Sequence, residues 1–319
     1  MSVNYLSYSG YKSYEQCPYA YWHKYILKTK PKVPENGVNA LYGTAIGTVF
    51  ESFYRDNIWK LPNIEETLLS LAEPHLDKAI KDAKRKGRDI YWMDEKANYH
   101  SKEEIMVDLR STIPIGIQTI RENRLVGPRM DAEFKLDRTF DGYIIGGRSD
   151  FIIMRVKPFS DLVILDGKGS KHRGNYVDGH YNPGKIEGIQ LKLYGMLYKE
   201  GTGVTPGGLG YIFWRFSGDQ AIEWIDFSET DFSNLKGEFL SVVKRIDQSS
   251  KRLSNISDKP QAHSDLRQEL FPAQPGSGCM FCEYVAFCEE GQKQQHKSRP
   301  RPRLNLSEGV TELTLGSDD

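Results

Sequence analysis

Only four of the 319 residues are cysteine, and the first residues carry no basic-then-apolar leader. Disulfides are therefore not expected, and a reducing, cytoplasmic setting is. No apolar run approaches membrane-spanning length, which excludes a helical membrane protein. Net charge is absent as well, because 43 basic and 43 acidic residues cancel. A whole-molecule attraction to nucleic acid is thereby excluded, and any such contact has to be local. The chain has no G-x4-G-K-[ST] loop and no internal repeat, and His23, His172 and His180 are not spaced like a metal triad. What remains is an ordinary composition, 39% hydrophobic and 27% charged. It suits one large domain or a core with a helical insertion.

The most informative residues are Asp150 and the run Asp166, Gly167, Lys168. Apolar residues flank Asp150 in segment 142–154 and run up to Asp166 in segment 162–170, so both read as strands. Side chains alternate along a strand, so Asp166 and Lys168 face the same way, and a neighbouring strand can bring Asp150 beside them. Two carboxylates with the Gly167 carbonyl make a partial shell for Mg2+ or Mn2+. Lys168 is then placed to position an attacking water or steady developing negative charge, as phosphodiester hydrolysis requires. An Asp-Gly pair is also a turn signal, and solvated charges at strand ends are the plainer alternative. Lys168, Lys171, His172, Arg173, Lys185 and Lys192 gather around this segment as a local basic patch.

Cys17 stands alone near the N-terminus, and Cys279, Cys282 and Cys288 form a C-x2-C-x5-C group. This spacing suits metal or cluster ligation. A four-thiolate zinc site, a 4Fe-4S cluster and unligated buried thiols all fit it.

Taken together, these residues resemble the iron-sulfur branch of the PD-(D/E)XK nuclease superfamily: RecB-like domains of AddB-type recombination subunits and CRISPR-associated four-cysteine exonucleases. Residues 7–25 resemble the family's first helix with its leading cysteine, and residues 43–51 resemble its second, with Glu51 at the first acidic motif. Asp150, Asp166 and Lys168 resemble the catalytic core, and Gln190 with Tyr194 resembles the QxxxY motif, which touches the substrate strand. Gly47 departs from the pattern, since related nucleases usually carry a metal-ligating histidine there. The resemblance implies an α/β fold: a restriction-endonuclease-like core, a central mixed sheet flanked by helices, with a 4Fe-4S cluster on Cys17, Cys279, Cys282 and Cys288 joining the N- and C-terminal segments. It also implies a metal-dependent exonuclease acting on single-stranded DNA with 5′ to 3′ polarity, with Lys171 and Arg173 near the DNA. Two rivals keep the fold: an inactive DNA-binding adaptor, and a nuclease dependent on a helicase, integrase or other recombination partner.

Along the chain, residues 1–30 read as a helix and 40–60 as a second, with a mostly helical insertion over about 60–125. Strands follow from 130 to 168 with a turn at Asp141-Gly142, then a Gly-rich loop over 169–185. The helix of Gln190 is expected over 186–200, strands over 209–215 and 221–227, and a helix over 229–248. Residues 1–295 are expected to form one nuclease domain and 296–319 a disordered tail.

Overall fold

The computed structural model describes residues 3–30, 37–88, 90–93, 98–157, 161–171, 173, 188–255 and 260–298. At its centre is a five-stranded mixed sheet in the order β2 (Arg129–Lys135), β5 (Arg148–Met154), β6 (Leu162–Lys168), β7 (Gly208–Phe213), β8 (Ile222–Trp224). Strand β5 runs antiparallel to both β2 and β6, β6 is parallel to β7, and β7 is antiparallel to β8. The parallel step is possible because α6 (Ile189–Thr202) crosses over between β6 and β7. A second sheet pairs β1 (Tyr5–Ser7) with β4 (Tyr143–Gly146), and β4 with β3 (Arg138–Phe140).

The sheet is covered on both faces, and side-chain alternation assigns each residue to a layer. Phe151, Ile153, Val163, Leu165 and Ile212 pack with α3 (Val38–Arg55), α4 (Ile64–Arg85) and α5 (Lys102–Glu122). Ile152, Ile164, Tyr211 and Phe213 pack with α1 (Tyr8–Gln16), α6 and α7 (Glu229–Ser254). Each fully buried aliphatic side chain contributes about 1.5–3 kcal/mol, so a one-residue slip of β5 or β6 is strongly disfavoured. Helix α3 follows from apolar residues at Val38, Leu41, Tyr42, Ala45, Ile46, Val49, Phe50 and Phe53. It stops before Asn57, whose φ of 55° is left-handed. Ser101 caps α5 through the Glu104 N–H, and Ser228 and Asp231 form a capping box on α7.

Several sequence expectations need correction. Residues 1–30 are not one helix: they form β1, α1, the short α2 (Pro18–Tyr21) and a π-helical turn (Trp22–Ile26). Pro18 lacks an N–H and opens a new helix at its first position, after extended Cys17. The expected strand over 221–227 is only Ile222–Trp224, and α7 continues to Ser254, beyond the expected 248, because its apolar spacing runs on through Leu253. Helix α8 (Pro260–Leu270) was not foreseen, and α9 (Glu289–Ser298) runs into the start of the expected tail. The rest of that tail, and most of the Gly-rich loop with His172, His180 and Lys185, lie outside the described residues. Among the described residues no helix is long and apolar enough to cross a membrane.

Buried Asp247 on α7 locks the N-terminal segment in place. It accepts the Val3 N–H at 3.0 Å and the Tyr143 hydroxyl at 2.9 Å, and pairs with Lys251 at 2.6 Å. Asp247→Ala leaves these donors without their acceptor and is expected to cost about 1–3 kcal/mol, measured by urea denaturation. An unchanged midpoint would show that β1 is held by its apolar contacts alone.

Candidate active site

Adjacent strands bring the predicted chemistry together. In the antiparallel register Phe151 faces Leu165, which sets Asp150 beside the end of β6. Asp150 Oδ2 accepts the Gly167 backbone N–H at 2.7 Å. Asp166 is buried and forms an ion pair with Lys168, two residues on along the same face. Among the described residues, Asp166 Oδ2 accepts no hydrogen bond beyond that ion-pair contact. Burial, then the neighbouring Asp166 charge, push the Asp150 carboxyl up to about 8, against the Gly167 hydrogen bond and the Lys168 charge.

Tyrosines roof this group. Tyr194 is buried on α6 and accepts a hydrogen bond from Gln190 Nε2 at 3.0 Å, so the two residues act as one unit at i and i+4. Burial raises the Tyr194 hydroxyl to about 12, with Asp166 and Asp150 adding to the shift. A Cβ at Gly147 would stand 2.5 Å from the Tyr194 ring, so glycine is what lets that ring lie close to the start of β5. Tyr211 pairs in register with Asp166, and its ring lies 5.2 Å from Lys168 Nζ. Tyr8, at the start of α1, is raised by burial and feels both Lys168 and Asp166. Neither Tyr8 nor Tyr211 was singled out from the sequence. Nothing local marks them, because strand pairing and helix docking bring them here.

Helix α3 reaches the same end of the sheet. A Cβ at Gly169 would lie 3.1 Å from the Gly43 backbone, a glycine-to-glycine approach that seats the helix against the end of β6. Glu51, two turns after Gly43, is half-buried, and its carboxyl is raised by burial and by Glu133 on β2. A Cβ at Gly47 would meet nothing closer than Glu51 Oε1 at 4.0 Å. Lys171 pairs with Asp108 at 3.6 Å and Arg173 with Glu223 at 2.7 Å. Both predicted DNA contacts are thus already partnered by acids. Arg215 donates to the Gly169 carbonyl at 3.0 Å and pairs with Asp108 at 3.0 Å, tying α5 to the loop after Lys168.

The cysteines sit where residues 17–23 meet the segment after α8. Tyr19 donates to the Phe287 carbonyl at 2.6 Å, and the His23 ring stacks on Tyr284 and Phe287 with centroids 5.6 and 5.3 Å away. Burial pushes the Cys282 and Cys288 thiols up, and Cys17 and Cys279 add to both shifts. Backbone N–H groups of Gln274, Gly276 and Gly291 point at the sulfurs of Cys17, Cys279 and Cys288 at 3.5, 3.4 and 3.3 Å. Among the described residues, no three His, Cys, Asp or Glu side chains converge closely enough to hold a metal ion.

A scan of protein families matches the model of the PD-(D/E)XK nuclease superfamily over residues 5–289. Among solved structures, a protein from Eubacterium rectale provisionally described as an exonuclease is 14% identical. The match covers 82% of this chain and 92% of that one, with a TM-score of 0.40. A second structure, SSO0001, is 13% identical over 88% of this chain and 93% of that one, with a TM-score of 0.27. No curated protein matches.

A folded-state pKa raised above the unfolded value means that the folded protein holds the Asp150 proton more tightly than the unfolded chain does. Metal-free stability therefore falls as pH rises from the ordinary carboxylate range to about 8. Asp150→Asn keeps an acceptor for the Gly167 N–H and removes that dependence. In chelator, its melting temperature relative to wild type is expected to be higher at pH 8 than at pH 5. Equal differences at both pH values would show that the pair carries no such strain.

Proposed function

Because the chain belongs to the PD-(D/E)XK nuclease superfamily, matched over residues 5–289, we propose that the carboxylates of β5 and β6 serve Mg2+- or Mn2+-dependent hydrolysis of DNA phosphodiester bonds. The observation that carries this reading is buried Asp166, whose Oδ2 meets Lys168 and no further donor among the described residues, and which lies beside a second carboxyl that burial and repulsion disfavour as an anion. A divalent cation relieves both. Asp150, Asp166 and the Gly167 carbonyl are its proposed ligands, with water or substrate phosphate completing the shell. When bound, the cation supplies charge neutralisation and Lewis-acid activation of water. Lys168 steadies the negative charge that develops on the phosphate, and Glu51 completes the acidic set. Gln190 and Tyr194 hold the substrate strand, Tyr8 offers a face for base stacking, and Lys171 and Arg173 exchange their acid partners for phosphate.

The finer assignment is an exonuclease that degrades single-stranded DNA from 5′ to 3′, in recombination, repair or replication. We assign Cys17, Cys279, Cys282 and Cys288 to a structural 4Fe-4S cluster. Its support is the set of backbone N–H groups aimed at three sulfurs, which a neutral thiol accepts only weakly and a cluster thiolate accepts well. On this reading residues 1–295 are one RecB-like domain, with residues 60–125 its insertion. Gly47 favours a second reading, a catalytically weakened DNA-binding adaptor or a nuclease that needs a helicase or integrase partner. Such an adaptor shows no specific Mn2+ site by calorimetry.

End-labelled single-stranded DNA is expected to be cut by anaerobically purified protein with Mn2+, and Lys168→Ala to abolish cutting while leaving fold and cluster intact. Equal cutting by both proteins would overturn the assignment of Lys168. Cys282→Ser is expected to lose the visible absorbance and iron of the wild type and to melt at a lower temperature. Iron-free wild type, with zinc by elemental analysis, would replace the cluster with a zinc site.

A further inference from the structure

Glu133 lies in the middle of β2, and its φ is 53°, a conformation that L side chains rarely adopt within a strand. The ladder passes from Ala132 opposite Phe151 to Phe134 opposite Ser149. The skipped pair is Glu133 and Asp150, so the one left-handed residue of the strand stands across from a proposed metal ligand. The Glu133 carboxylate accepts Arg148 Nη1 at 2.8 Å, faces the Glu51 carboxyl within hydrogen-bond reach, and also lies close enough to raise the Asp150 carboxyl. Strained backbone persists only where the surroundings enforce it, and it gathers at functional sites. Here it takes Glu133 out of the ladder and places its carboxyl between two active-site elements.

We infer that Glu133 is a positioning residue: clamped by Arg148, it holds the Glu51 carboxyl of α3 in place. Helix α3 is seated on either side of Glu51 by Phe50 stacked on Trp214 and Tyr54 against Phe151, contacts that fix the helix and not the Glu51 carboxyl. The Glu133 contact restrains the carboxyl itself. The inference rests on the nuclease reading above, within which it assigns Glu133 a task separate from metal binding.

The test is a double-mutant cycle on the full chain. Glu133→Ala is expected to lower kcat about 10- to 100-fold, the usual effect of losing an orienting partner, with KM little changed. Glu133→Gln, whose amide accepts from Arg148 and donates to the Glu51 carboxylate, should recover most of the loss. Glu133→Gly relieves the left-handed backbone, so it should melt higher than Glu133→Ala yet cut as slowly, a split that a merely structural residue does not produce. In a Glu51→Gln background, Glu133→Ala should slow cutting no further. Wild-type kcat in Glu133→Ala, or additive losses with Glu51→Gln, would overturn the inference. Should the wild type cut nothing, the nuclease reading fails on its own. The inference is then judged by melting temperatures of Glu51→Gln, Glu133→Gln and the double variant, where non-additive shifts support the contact and additive shifts sink it.

Discussion

Two carboxylates on neighbouring strands, buried together with one lysine, are the constraint around which the rest of the structure is arranged. Asp150 and Asp166 repel, and burial strengthens the repulsion. A fold that keeps them adjacent has to over-determine their position. It does so with the antiparallel register of β5 and β6, the Gly167 N–H on Asp150, and Lys168 against Asp166. Arg215 fixes the backbone just beyond Lys168, and Tyr194 presses close through the gap left by Gly147.

The apolar alternation of β5 and β6 and the helical spacing of α3 are local properties, so the sequence displays the strands of Asp150, Asp166 and Lys168 and the helix of Glu51. The face shared by Gln190 and Tyr194 follows for the same reason. The N-terminal thirty residues mislead, because their aromatic content suits a helix, whereas Pro18 and the pairing of β1 with β4 break them into short pieces. Tyr8 and Tyr211 become site residues only through packing. Glu133 is the hardest to read: it looks like a solvent-facing strand residue, and its place depends on a backbone angle that no periodicity encodes.

Gly47 and Glu133 together suggest how an active site tolerates change. There is open room on α3 at Gly47, and on our proposal a carboxyl from β2 steadies Glu51 on the next turn of the same helix.

The N-terminal helices are held from two directions by segments distant in sequence. Tyr8 belongs to α1, whose Tyr11 stacks on Phe239 of α7 at 4.3 Å and whose preceding strand hangs from Asp247. The turn that follows it is wedged by His23 against Tyr284 and Phe287. Residues 5–26 are therefore seated twice, on α7 and on the segment around Tyr284 and Phe287, both far later in the sequence than the carboxylate strands. Of the three tyrosines over the carboxylates, Tyr8 alone depends on that seating. A truncated chain lacking the cysteine triplet would keep the two aspartates and lose the anchor of the segment that covers them.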